Sequence, residues 1–458
     1  MLAYIIIGAA SLLASGILLQ HKRIVTFVAA AGVLFEAHVL LATLVARTGG
    51  RDFNQGLVYL GVAVVLLGLW VFGIRSFRWP ELEGNRWLKE IVPIMVVSLV
   101  GGAAGMILAV NGWHNDSWVM NGFYNGDTTT FLALLNRSSQ TESLVSTNPF
   151  NGGGALEYPT LLHGAWADIL GDYGGEFFMF YLLPLFVLVQ IVITVPMFYL
   201  WWDIYTDKPR RKWQNYLGVK SEKVIVWSQT ILILCVLGLS WDGYVYAQSH
   251  FFLTGIFLLL VSLLHLFEKR RARNKFLSLG EIAVLGIVLI LSNAVLGAVA
   301  AAIIILFNVF VFLAGKGHGF LVRGLSGVLA VVWLVFYLLV ASGEADWGWP
   351  GFSYSAAFES MKLVLAAVAV LVSLIILGKR SGFLGFYVLA MMIMALITHC
   401  FSGRDIIVEN SSRFVYHGIL IGQVLVLEPG LRFFYWLRKN LWYTQLDLRE
   451  KAIGWMAL

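Results

Sequence analysis

Asp127, Glu157, Tyr158 and His163 fall within one polar interruption of an otherwise apolar chain. A carboxylate within hydrogen-bond reach of a hydroxyl can take its proton as a general base. A pair of carboxylates can also offer oxygens to a hard cation such as Mg or Mn. Asp127 and Glu157 suit either task, with Asp168 a further oxygen donor, and His163 can orient an acceptor or face a departing phosphate. Farther along, "SGRDIIVENSSRFVYHGIL" (402–420) gathers Arg404, Arg413 and His417. Arg413 and His417 are four apart and share a helix face. The planar guanidinium fork suits phosphate oxygens. Trp347, in "SGEADWGWPGFSY" (342–354), offers a flat face to a sugar ring.

Each residue also has a plainer reading. Asp127 is a favoured helix N-cap, and Glu157 a solvated loop acid. His163 falls off the apolar stripe of its segment, which puts it on a polar face. Arg413 can snorkel, Arg404 can pair with Asp405 or Glu409, and Trp347 can belong to an interfacial belt. No H-E-x-x-H zinc spacing occurs, and the triple glycine at 152–154 lacks the strand-turn-helix setting of a phosphate loop.

What must position these groups is a membrane. Of the 458 residues 59% are hydrophobic and only 13% charged, half the charged share of about 25% in soluble domains. Mean hydropathy is +0.80. The net charge of +6 follows topology and does not imply nucleic acid. Cys235 and Cys400 lie inside separate apolar runs and read as packing residues. The first segment carries its positive charges after its apolar run, the reverse of a cleaved signal peptide, and is read as a retained helix.

A spanning helix needs about 20 apolar residues. Such runs lie near 2–19, 24–46, 55–74, 91–111, 177–201, 224–240, 250–267, 277–292, 294–315, 321–341, 359–378, 382–400 and 413–431. The expected architecture is therefore an all-α polytopic protein of about 13 spans, with the break at Ser292-Asn293 its finest division. With the N-terminus outside and the C-terminus cytoplasmic, all but six of the 32 Lys and Arg fall on the inner side. The exceptions are Arg47, Arg51, Arg137, Lys362, Arg404 and Arg413. Most carboxylates, Asp168 among them, fall outside. The chain divides into an N-terminal three-span bundle (1–90), a core (91–431) with a long outer loop (113–176), and an inner interfacial tail (432–458).

The outer loop is rich in aromatic and aliphatic residues and is expected to pack. Asp127 would cap a helix from Thr128 to about Leu144. Pro159 would open a second, with Leu161, Leu162, Ala165, Trp166, Ile169 and Leu170 on one stripe. Two amphipathic helices in the outer interface are the simplest arrangement. Within the spans, Glu36, His38 and Glu281 are costly in lipid and mark function or interhelical bonds. Glu36 is deep enough to need a partner, whereas Glu281 lies near an inner end, within reach of water.

The sequence "YNGDTTTFLALLNRS" followed by "NPFNGGGALEYPTLLHGAWADIL" and a further span resembles the first extracytoplasmic loop of the GT-C superfamily of polytopic glycosyltransferases, over about 90–200. The chain differs in having three spans before that loop, a single acid at its start and no soluble domain after the last span. The resemblance implies an outer-face enzyme of the cytoplasmic or plasma membrane, using a polyprenyl-phosphate sugar donor. It implies Asp127 as the catalytic residue and Arg413 as the donor-phosphate ligand. His163 is placed with Asp127 in the catalytic set, and Glu157, Tyr158, Arg404, His417 and Trp347 in the substrate site. The alternatives are a transporter or flippase of lipid-linked sugars using Glu36, His38 and Glu281 as a relay, and an inactive relative serving as a scaffold.

Overall fold

The computed structural model describes residues 1–19, 21, 23–48, 54–80, 91–96, 99–100, 110–114, 117–120, 133–141, 160–170, 247–269 and 274–313, with scattered positions in 192–204, at 272 and in 372–390. Contacts divide the chain into two units, Met1–Tyr205 with Thr230–Pro350, and Thr206–Gln229 with Gly351–Leu458. In the second unit the described residues include Phe383 and Tyr387, whose rings pack 6.2 Å apart. The elements described below belong to the first.

Helices α1 (Leu2–Leu18), α2 (Ile24–Thr48) and α3 (Gln55–Phe72) pack on one another. In lipid no hydrophobic force draws helices together, so close approach through small side chains has to hold them. The buried face of α1 fits that need: Ala3, Ala10, Ser11, Ala14 and Ser15. A cluster of Ala3, Ile7, Val39, Ala42, Ala46, Tyr59 and Ala63 joins the three helices. Asn54 caps α3, its side chain accepting from the Gly56 N–H at 3.0 Å.

Helix α4 (Leu161–Leu170) lies against α2. Three further helices follow: α5 (Ala247–Glu268), α6 (Lys275–Ser292) and α7 (Ala294–Leu313). α5 and α6 also pack on α2, and α4 on α6. α2, α3 and α6 are long and apolar enough to cross a membrane. The described residues are helical apart from turns and one antiparallel hairpin, Val110–His114 with Ser117–Met120, in which Trp113 pairs with Trp118.

The expected break at Ser292-Asn293 is present. Asn293 is extended (φ −155°, ψ 125°), and its N–H still bonds the Leu289 carbonyl. A side chain at Gly297 would run into the backbone of Ile290, so this tight reversal between α6 and α7 requires glycine.

Candidate functional site

The last turn of α2 carries Arg47, buried at 5% exposure. Its Nη2 donates to Asp168 Oδ1 at 2.6 Å and its Nε to Oδ2 at 3.3 Å, a two-point clamp on a carboxylate of α4. Its Nη1 donates to the carbonyls of Ser138 and Thr141 at 3.1 and 3.2 Å, at the end of the short helix 133–139. One guanidinium thus ties two pieces of the 113–176 loop to the end of α2. Gly164 permits it, because a Cβ there would stand 3.0 Å from Arg47 Cδ and Nε.

α3 adds a third attachment. Tyr59 Oη donates to Asp168 Oδ2 at 2.8 Å. Thr43 Oγ1 lies 2.6 Å from the same phenol. Thr43 Oγ1 also lies 3.1 Å from the Val39 carbonyl, so its one proton serves either that carbonyl or the Tyr59 oxygen. Arg47, Thr43, Tyr59 and Asp168 therefore form a closed polar set where α2 ends and α3 begins.

Two cavities meet at this set. An apolar cleft of about 490 Å³ runs between α2, α4 and α5, past Phe35, Glu36, Leu40, Trp166 and Leu253. A smaller cavity of about 330 Å³ lies between the starts of α1 and α3, with Gln55 and Tyr59 in its wall. Tyr4 and Asp168 line both.

Deeper in the bundle lies a second polar group. Ser11 Oγ donates to the Ile7 carbonyl at 2.8 Å and stands 2.9 Å from His38 Nδ1. With the serine proton committed, Nδ1 carries the hydrogen. His38 Nε2 faces Glu281 Oε2 at 3.3 Å, so a single proton lies between imidazole and carboxyl. His38 is 0% and Glu281 3% exposed. Glu281 Oε1 has no hydrogen-bond partner among the described residues. Water access for Glu281 was expected from its place near the end of α6, but packing of α6 on α2 removes it. Glu36 is not part of this pair. Two residues from His38 on the same helix, it turns to the other side, into the wall of the apolar cleft.

His163 is the other departure. A polar-face position was expected, but it is 2% exposed. The reason is that α4 does not lie flat on an interface: it is held between α2 and α6, which bury more than one of its faces. Leu161, Leu162, Ala165 and Trp166 are buried with it, while Ile169 is half exposed. Burial pulls the imidazole pKa from its ordinary 6.5 down to about 3. The folded protein therefore keeps it neutral, whereas the unfolded chain takes up a proton below pH 6.5. This contribution to stability is complete above that pH and drains away as pH falls toward 3. At pH 5 about 2 kcal/mol is gone. His163→Gln is expected to flatten the fall in thermal midpoint between pH 7.5 and 5. An unaltered pH slope would show that this imidazole does not stay neutral in the fold.

Asp127, Glu157, Tyr158, Trp347, Arg404, Arg413 and His417 lie outside the described residues, as do the first turns of the expected 128–144 helix. Of the carboxylates suited to a divalent cation, Asp168 alone is described, and it is held by Arg47 and Tyr59. Among the described residues no three His, Cys, Asp or Glu side chains come together. The residues not singled out from sequence are Arg47, Thr43 and Tyr59. Arg47 carried a signal, as one of the six cations that the expected topology leaves on the outer side. No protein-family model, curated protein or solved structure matches the chain at a significant level, so the chemistry of this end of the bundle rests on its own residues.

Proposed function

We propose that this protein is an outer-face glycosyltransferase of the GT-C type, which moves a sugar from a polyprenyl-phosphate carrier to a hydroxyl of a lipid, glycan or protein. One observation carries the reading. The acid-bearing loop is anchored into the bundle by Arg47 and Asp168 beside an apolar cleft between helices. A loop so placed serves a substrate that lives in the bilayer. The proposed topology has 13 spans with the N-terminus outside. It agrees with the convergence at one end of Tyr4, Arg47, Tyr59 and Asp168, from the start of α1, the end of α2, the start of α3 and the long loop.

In this mechanism Asp127 takes the proton of the acceptor hydroxyl as its oxygen attacks the anomeric carbon. The bond from that carbon to the phosphate oxygen breaks, and the polyprenyl phosphate departs toward Arg413, with Arg404 and His417 assigned to the same substrate site. His163 shapes the acceptor side as a neutral, buried imidazole. Glu157, Tyr158 and Trp347 hold the sugar. A divalent cation held by Asp127 and Glu157 would offset phosphate charge.

The purified protein is expected to transfer label from a polyprenyl-phosphate sugar, and Asp127→Asn to lower turnover by about a hundredfold or more, the range for losing a general base. Unchanged turnover would remove Asp127 from the mechanism. A second reading, a transporter of lipid-linked sugars, draws on the single proton shared by His38 and Glu281 deep among the helices. It requires proton-dependent flux into vesicles that Glu281→Gln abolishes.

A further inference from the structure

The apolar cleft and the small polar cavity share two lining residues, Tyr4 and Asp168. We infer that together they form one binding site for a membrane lipid with an uncharged, hydroxylated head group: chain in the cleft, head in the polar cavity, Asp168 at the junction. As acceptor site, this inference rests on the transferase reading; as a lipid site it stands alone.

Three features point to that occupant. Size is the first: cavities of about 490 and 330 Å³ each fall within the roughly 300–1,000 Å³ of small-molecule sites. The second is the arrangement of polarity. The cleft is walled mainly by apolar side chains, Phe35, Leu40, Trp166 and Leu253 among them, with Glu36 the acidic residue away from Asp168. The polar cavity offers the Gln55 amide, the Tyr59 phenol and the Asp168 carboxylate. That order matches an amphiphile entering from between helices. The third is charge. Among the described residues lining the polar cavity the only charged side chain is the Asp168 carboxylate, and the Arg47 guanidinium is bonded to Asp168 and to two backbone carbonyls. A phosphate head would meet a carboxylate there. Hydroxyl groups would instead donate to it, as the Tyr59 phenol already does.

The test uses the full chain in nanodiscs and an alkyl glucoside carrying a diazirine in its chain. Photolabelling is expected on α2 and α5 and is competed by unlabelled alkyl glucoside but not by an alkyl phosphate of equal chain length. Gly32→Leu places a side chain in the cleft toward Ile193. Gln55→Ala trims the head cavity and keeps both Arg47 and Asp168. Each is expected to weaken competition about tenfold, with an unchanged elution profile. If Gly32→Leu fails to fold, Gln55→Ala still decides. Labelling that both variants leave intact, or equal competition by alkyl phosphate, overturns the site. Labelling without sugar transfer keeps the lipid site and removes the transferase reading. Transfer without labelling removes the site alone.

Discussion

Arg47→Met is expected to be among the most destabilising single substitutions in the described part of the protein, costing about 3–5 kcal/mol, the usual loss when one partner of a buried ion pair is removed. Methionine keeps most of the stem volume, so the loss is chiefly one of bonds. Asp168, 11% exposed along its side chain, is left with the Tyr59 phenol alone among its donors here. The Ser138 and Thr141 carbonyls lose the donors that held the end of the 133–139 helix. Because all these bonds converge on loop residues, the damage should show first as protease sensitivity within 113–176, at temperatures where the bundle is intact. Asp168→Leu alone strands the guanidinium and should be comparably harmful. The double variant Arg47→Met/Asp168→Leu leaves neither charge buried alone and should recover part of the loss. Thermal midpoints of the four proteins in one detergent close the cycle. Additive losses in that cycle would mean that the two residues act separately and that the clamp does not hold the loop.

The same clamp shows what was legible beforehand. Apolar run length located α1, α2, α3, α5, α6 and α7 nearly to the residue, because a bilayer demands continuous apolar helices. The break between α6 and α7 was read at Ser292-Asn293, whereas the need for glycine at 297 shows only in its approach to the Ile290 backbone. Helix α4 was also foreseen, from its stripe and the proline before it. Its surroundings were not. An amphipathic pattern tells which face is apolar, but not that α6 packs on another side and buries His163 too. The pairing of Arg47 with Asp168 spans 121 positions, and no local periodicity reports on such a distance. The only clue was the unexpected sign of charge at the end of α2. His38 and Glu281, 243 positions apart, were each recognisable as costly in a membrane. The relay reading grouped them with Glu36 without saying which two would pair, and Glu36, nearer to His38 in sequence, was the more obvious mate. Side-chain direction on a helix decided otherwise, since residues two apart point away from one another.

The buried His38–Glu281 pair supports a second strong prediction, one that separates structure from chemistry. His38→Phe removes the only hydrogen-bond partner of Glu281 Oε2 among the described residues and should cost about 3–5 kcal/mol. Glu281→Gln should cost far less. With the Nδ1 hydrogen directed at Ser11, Nε2 is free to accept, and a glutamine amide can donate to it in place of the shared proton. His38→Leu/Glu281→Leu should stand near the wild type or above it, because well-packed apolar residues commonly equal a buried ion pair in stability. These thermal midpoints establish whether the pair is a partnership at all; equal losses in His38→Phe and the double variant would show that it is not. Activity then asks a different question of the same proteins. If the pair only joins α2 to α6, the double variant should support the proposed sugar transfer at the wild-type rate, since nothing in the proposed chemistry at Asp127 needs a proton among the spans. If protons pass through the pair, Glu281→Gln and the double variant should both fold well and lose flux, as neither can exchange the proton that His38 and Glu281 share. Stability retained together with function lost is a result that helix packing alone does not produce.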